Sequence, residues 1–145
     1  MKILLATEKP FAAAAVDGIR KIVETAGHEL VLLEKYTDKA QLIEAVADAD
    51  AMIVRSDKVT EDVVAAARNL KIVVRAGAGY DNIDLKACTE KDIVVENTPG
   101  QNSNAVAELA IGLMIYMSRN QFTPGSGCEL SGKRLGIQGF GNIGQ

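Results

Sequence analysis

Leu70-Lys71-Ile72-Val73-Val74-Arg75-Ala76-Gly77-Ala78-Gly79-Tyr80 is the most telling stretch of this chain. Three β-branched apolar residues follow one another, then an arginine, then small residues. An unbroken apolar run, rather than an alternating one, describes a strand buried on both faces, as in a parallel sheet covered by helices. The abrupt change to arginine and glycine marks the end of that strand and a turn.

The same kind of run recurs on either side, at residues 3–6, 30–33, 52–54 and 93–95. Helix-period segments separate these runs. Val16, Ile19, Ile22 and Val23 share one helical face, and Gly27 offers a C-terminal cap. Leu42, Ile43 and Val46 line a second helix. Val63, Val64 and Ala67 line a third, which Thr60 can cap, and Asp84 can cap a short fourth. Five strands alternating with four helices predict an α/β fold: a flavodoxin-like, doubly wound parallel sheet with strand order 2-1-3-4-5.

This unit is expected to occupy residues 1–99, closing at Asn97-Thr98-Pro99-Gly100. The remainder, 100–145, reads as a crossover helix over 102–118 and the opening of a second domain. In the helix, Val106, Leu109, Ala110, Leu113, Met114 and Met117 form a stripe at helical spacing. Ala105, Ile111 and Ile115 make the other faces apolar too, so the helix demands burial on several sides. A domain or subunit interface would provide it. Residues 121–127 are a loop. Leu135-Gly136-Ile137 reads as a sixth strand, the first of a second sheet. It leads into Gly139-Phe140-Gly141-Asn142-Ile143-Gly144, the G-x-G-x-x-G spacing that turns a strand into a helix beneath a dinucleotide pyrophosphate. One residue follows that motif, so the chain is expected to be part of a longer protein.

Bulk properties narrow the function. The 145 residues are 48% hydrophobic and carry a formal net charge of -3, so nothing attracts nucleic acid or an anionic membrane electrostatically. No apolar run is long enough to span a bilayer, and the short run at 1–6 is a strand rather than a leader peptide. Cys88 and Cys128 form no metal-spaced motif and read as free thiols of a reducing cytosol.

Ligands of open α/β sheets bind beyond the carboxyl ends of the strands. Those ends read Thr7-Glu8-Lys9, Arg55-Ser56-Asp57-Lys58, Arg75–Tyr80 and Asn97–Gly100. Arg55 and Arg75, on adjacent strands about 5 Å apart, are candidates for clamping a dianion. The small residues after Arg75 could bind a carboxylate through backbone N–H groups. His28, the only histidine, precedes the second strand at the opposite edge, where it reads as a surface residue. No histidine is therefore placed to take the proton from a hydroxyl. Glu108 is read as helix polarity or interface.

Val54-Arg55-Ser56, Arg75-Ala76-Gly77-Ala78-Gly79-Tyr80-Asp81-Asn82-Ile83-Asp84, Asn97-Thr98-Pro99-Gly100-Gln101-Asn102-Ser103 and Ala107-Glu108-Leu109 occur in order ahead of the glycine motif. Together they resemble the D-2-hydroxyacid dehydrogenases along essentially the whole chain, most closely the members that act on 3-phosphoglycerate. The resemblance implies two α/β domains, NAD as cofactor and a homodimer. It implies reversible oxidation of 3-phosphoglycerate to 3-phosphohydroxypyruvate, the first committed step of serine synthesis. It assigns Arg55, Ser56, Arg75, Ala76, Gly77 and Asn102 to the substrate, with Ala76 and Gly77 offering backbone N–H to its carboxylate. Ala78 and Val106 would line the nicotinamide, and Gly139, Gly141, Asn142, Ile143 and Gly144 would cradle the pyrophosphate. The family's catalytic arginine, glutamate and histidine come later in the sequence, so these 145 residues alone are expected to be inactive. The segment 120–129 is shorter than in many relatives and has no tryptophan, as in a shorter subtype. Two other readings stand beside this one: a dehydrogenase for another D-2-hydroxyacid, and a non-catalytic module that binds an anion or pairs through its apolar helix.

Overall fold

A computed structural model describes residues 1–145. The chain divides into two compact units, Met1–Thr98 and Pro99–Gln145. The first is a five-stranded parallel sheet in the order β2-β1-β3-β4-β5. Its strands are β1 (Lys2–Thr7), β2 (Glu29–Glu34), β3 (Ala51–Val54), β4 (Ile72–Arg75) and β5 (Val94–Glu96). Four helices connect them: α1 (Ala13–Thr25), α2 (Lys39–Val46), α3 (Glu61–Ala66) and α4 (Leu85–Glu90).

The two-residue period of a strand sends neighbours to opposite faces, and the core divides accordingly. Leu4, Met52, Val54 and Val73 pack with Leu42 and Val46 of α2, Val63 and Val64 of α3, and Cys88 of α4. Leu5 and Leu30 pack with Val16 and Val23 of α1 on the other face. Ile22, expected on the inner side of α1, is instead 73% exposed. The buried stripe of that helix is carried by Val16 and Val23, seven residues apart, and Ile22 falls to one side of it.

Helix ends follow local chemistry. Gly27 has φ +74°, and the N–H groups of Gly27 and His28 return to the carbonyls of Glu24 and Val23. That pairing is the Schellman arrangement, which favours glycine at the left-handed position. Asp38 and Gln41 form a reciprocal capping box at the start of α2. Asp84 Oδ1 accepts from Ala87 N–H at 3.0 Å at the start of α4. Thr60 does not cap α3 as expected: no first-turn N–H reaches its hydroxyl oxygen, and the hydroxyl donates to the Asp62 carboxylate. The far end of α3 is closed by Lys91, whose Nζ donates to the carbonyls of Val64, Ala65 and Ala67 at 2.9, 2.8 and 3.2 Å. A cation at a helix C-terminus satisfies carbonyls that the helix leaves unpaired.

The second unit is built on α5 (Ser103–Ser118) followed by a 3-10 turn at Asn120–Phe122. Only Ser103 of α5 is buried, and Leu109, Leu113 and Met117 are 62%, 51% and 62% exposed. Tyr116 meets the Phe122 ring edge-to-face at 5.4 Å. Leu135–Ile137, expected as a strand, has irregular backbone and pairs with none. A strand is maintained by its ladder, and residues 100–145 offer it no second strand.

Candidate functional site

The carboxyl ends of β1, β3 and β4 gather the polar residues of the first unit. Register places Arg75 opposite Val54, so Arg55 lies one step beyond the last pair. The two arginines meet through a side chain and a backbone: Arg75 Nε donates to the Arg55 carbonyl at 2.7 Å. Arg55 and Ser56 are exposed, and Arg75 is half-buried.

The backbone after β4 departs from the expected arrangement. Ala76 N–H donates to the Val54 carbonyl at 2.8 Å, and Gly77 N–H donates to the Arg75 carbonyl at 2.8 Å. Both groups assigned to a carboxylate are therefore already engaged. Ala76 extends the β3–β4 ladder, and Gly77 closes a three-residue turn. The next two N–H groups, of Ala78 and Gly79, have no backbone acceptor. The turn that carries them is held from β5: Thr98 N–H donates to the Gly77 carbonyl at 2.9 Å, and Asn97 Nδ2 to the Ala78 carbonyl at 2.7 Å. Two adjacent free N–H groups beside a guanidinium suit a small anion.

Beneath this edge lies a residue that sequence reading passed over. Asp57 is 4% exposed. Its Oδ1 accepts from Glu8 N–H at 2.7 Å and from the Tyr36 hydroxyl at 2.8 Å, and its Oδ2 accepts from Arg55 N–H at 3.3 Å. Its carbonyl accepts from Asn82 Nδ2 at 2.7 Å. One carboxylate thus ties together the ends of β1, β2 and β3. Burial, and then the hydrogen bond to Asp57, push the Tyr36 hydroxyl pKa well up. The only sequence sign of Asp57 was its place in a strand-end run, because the two partners of its Oδ1, Tyr36 and Glu8, lie 21 and 49 residues away. A crevice of about 300 Å³ opens beside this network, lined by Glu8, Tyr36, Lys39, Leu42, Ser56, Lys58 and Thr60.

His28 lies at the amino edge as expected, but it is only half-exposed, and its Nδ1 is buried without a partner.

Asn102, Val106 and the terminal glycines belong to the second unit. Asn102 precedes α5, and its carbonyl accepts from Val106 N–H at 3.0 Å. Gly139 has φ +92°, open to glycine with little strain. A Cβ on Gly144 would come within 2.3 Å of the Gly139 carbonyl oxygen, so this close approach requires glycine. Gly144 and Gln145 both donate to the Gly141 carbonyl, starting a helical turn. A Cβ on Gly141 would meet nothing within 4 Å, which leaves its backbone open to a ligand. Asn142 lies against Gly100, and Ile143 is exposed.

A doubly wound parallel α/β unit gathers polar side chains and free backbone N–H groups at its carboxyl edge, and a glycine turn of the dinucleotide-binding spacing follows it in sequence. Residues 5–139 match the family model "D-isomer specific 2-hydroxyacid dehydrogenase, catalytic domain", and the chain belongs to that family of oxidoreductases. It is similar to an NAD+-bound 3-phosphoglycerate dehydrogenase structure from Entamoeba histolytica, at 58% identity and TM-score 0.95. That match covers 99% of this chain and 48% of the other. It is 45% identical to D-3-phosphoglycerate dehydrogenase of Methanocaldococcus jannaschii, covering 86% of this chain and 26% of that protein. It is 44% identical to hydroxypyruvate reductase of Thermotoga maritima, covering 81% and 43%. The chain thus spans between a quarter and a half of these relatives. No helix is long and apolar enough to cross a membrane.

Proposed function

We propose that the chain forms the substrate-binding domain and the opening of the NAD-binding domain of an enzyme that oxidises 3-phosphoglycerate to 3-phosphohydroxypyruvate in serine synthesis. The observation that carries this reading is the anchored Arg75 guanidinium followed in the chain by two free N–H groups, at Ala78 and Gly79. The substrate is a phosphorylated acid, and this edge offers arginines for its anionic groups and backbone donors for a carboxylate. The likeness to 3-phosphoglycerate dehydrogenases supports the same substrate. Arg55 and Ser56 stand exposed on the adjacent strand end to take the phosphate, and Asn102 is assigned a supporting contact by resemblance. Ala76 and Gly77 shape the turn rather than donate to the acid.

The glycine turn at 139–144 fits a dinucleotide. A side chain at Gly144 would run into the Gly139 carbonyl, Gly139 takes a positive φ that favours glycine, and Gly141 leaves its backbone accessible. Gly139, Gly141, Asn142, Ile143 and Gly144 would hold the pyrophosphate, with Ala78 and Val106 toward the nicotinamide. NAD, when bound, supplies the hydride acceptor. The residues of this chain bind and orient the acid, and the group that takes the hydroxyl proton comes from the part of the enzyme outside them. The exposed apolar face of α5 is proposed as an interface with the rest of the enzyme and with a second copy. The two free thiols, Cys88 and Cys128, suit a cytoplasmic enzyme.

The Thermotoga relative supports a second reading, a dehydrogenase for an unphosphorylated hydroxyacid. Steady-state turnover of 3-phosphoglycerate, D-glycerate and D-lactate with NAD+ by the full-length enzyme separates the two. The proposal requires the highest kcat/KM for 3-phosphoglycerate, and a preference for D-glycerate overturns it.

A further inference from the structure

We propose that Gly77 is a positioning residue: its missing side chain is the seat that holds the Arg75 guanidinium in its ligand-binding orientation. The proposal rests on the reading of Arg75 as an anion-binding residue.

An arginine at the exposed end of a strand has several rotatable bonds and no reason to hold one direction. Arg75 is held. Its Nε donates to the Arg55 carbonyl at 2.7 Å, and its guanidinium lies over the Cα of Gly77. A Cβ at position 77 would stand 1.7 Å from Nη1, 2.4 Å from Cζ and 3.0 Å from Nε. Side chain and guanidinium cannot share that space. Backbone conformation does not demand glycine here, because Gly77 is absent from the positive-φ glycines, which include Gly27, Gly100 and Gly139. Its N–H and C=O are bonded to Arg75 and Thr98 as those of any residue could be. What requires glycine at 77 is the guanidinium.

The seat decides how Arg75 meets an anion. With Nε committed to the Arg55 carbonyl, the donors left for a ligand are those of the two Nη atoms. An acid is therefore met by the end of the fork rather than by its Nε side. The same bond couples Arg75 to the end of β3, where Arg55 begins.

Gly77→Ala is a selective test. The obstructed atoms are the far end of a flexible side chain and the backbone is ordinary, so the variant folds and only the guanidinium moves. The first readout is the Arg75 Nε–H resonance in ¹H–¹⁵N spectra of this chain. It should be resolved and slow to exchange in the unsubstituted protein and lost in Gly77→Ala. Persistence of the protected signal in the variant overturns the seat. The second is a double-mutant cycle in the full-length enzyme with 3-phosphoglycerate as the probe. Gly77→Ala should raise KM about tenfold, the scale of one charge-assisted hydrogen bond, with a smaller change in kcat. In an Arg75→Ala background the same substitution should change KM less than twofold. An equal loss in both backgrounds, or no loss in either, overturns the positioning role. Failure of the substrate assignment would appear separately, as absence of 3-phosphoglycerate turnover by the unsubstituted enzyme, and leaves the resonance comparison decisive for the seat.

Discussion

The hydroxyl of Tyr36 donates to the buried carboxylate of Asp57 at 2.8 Å, joining the loop after β2 to the loop after β3 across 21 residues. Removing that hydroxyl leaves the buried Asp57 carboxylate short of a partner. Tyr36→Phe should cost about 1–2 kcal/mol, and Asp57→Ala about 3 kcal/mol because it also strands Glu8 N–H. Urea denaturation of the two variants measures both.

Tyr36 also sets a pH dependence. Its folded-state pKa is raised above the ordinary value of 10.0, by burial first and by Asp57 second. The unfolded chain therefore ionises this phenol at lower pH than the folded one does. The stability it contributes is fully present below pH 10 and is lost as pH rises from there. Thermal unfolding between pH 8 and roughly 11 should show this decline, and Tyr36→Phe should flatten it.

Arg55→Ala should weaken binding of 3-phosphoglycerate to the full-length enzyme by about 1.5–3 kcal/mol, the loss of a charge-assisted hydrogen bond. Calorimetric titration gives the value. An equal loss for D-glycerate would remove the phosphate from the role assigned to this arginine.

Lys91 closes α3 through three carbonyls contributed by Val64, Ala65 and Ala67. Lys91→Met keeps the aliphatic stem and removes the ammonium. It should lower stability by about 1 kcal/mol, a value typical of a cation at a helix C-terminus. Chemical denaturation should show a shifted midpoint with an unchanged slope.

Leu109, Leu113 and Met117 present one apolar face of α5 to solvent. Exposed apolar surface of this extent drives association. This chain should sediment as a self-associating species, and the pair Leu109→Glu and Leu113→Glu should shift it to monomer.

Cys88 is fully buried, and burial raises its thiol pKa, whereas Cys128 is exposed. A thiol reagent should titrate one cysteine rapidly in the folded chain and the second only on unfolding. Two fast equivalents would contradict the packing of α4 on the sheet.

Much of the fold could be read from residue order. Continuous apolar runs such as Ile72-Val73-Val74 suit strands covered on both faces, and their alternation with helical segments points to a parallel, doubly wound sheet. Gly27 and Asp84 act as caps because capping depends on the nearest few residues. Thr60 makes no cap: no first-turn N–H donates to its hydroxyl oxygen, and the hydroxyl itself donates to the Asp62 carboxylate two residues on. Leu135–Ile137 has strand composition but no strand, because pairing is not a property of one segment.

The sequence alone determined the α/β architecture and the order of its strands, and it pointed to the carboxyl edge as the candidate anion site. Those follow from local periodicity and from the rule that ligands gather at strand carboxyl ends. Tertiary structure alone decided which groups at that edge are available. Ala76 and Gly77 N–H groups are consumed by Val54 and Arg75, which passes the free donors to Ala78 and Gly79. It also placed the Arg75 guanidinium over Gly77 and the Asp57 carboxylate beneath three strand ends. A hydrogen bond satisfied from a neighbouring strand leaves no mark in the sequence that donates it, because its partner is set by the register of the sheet.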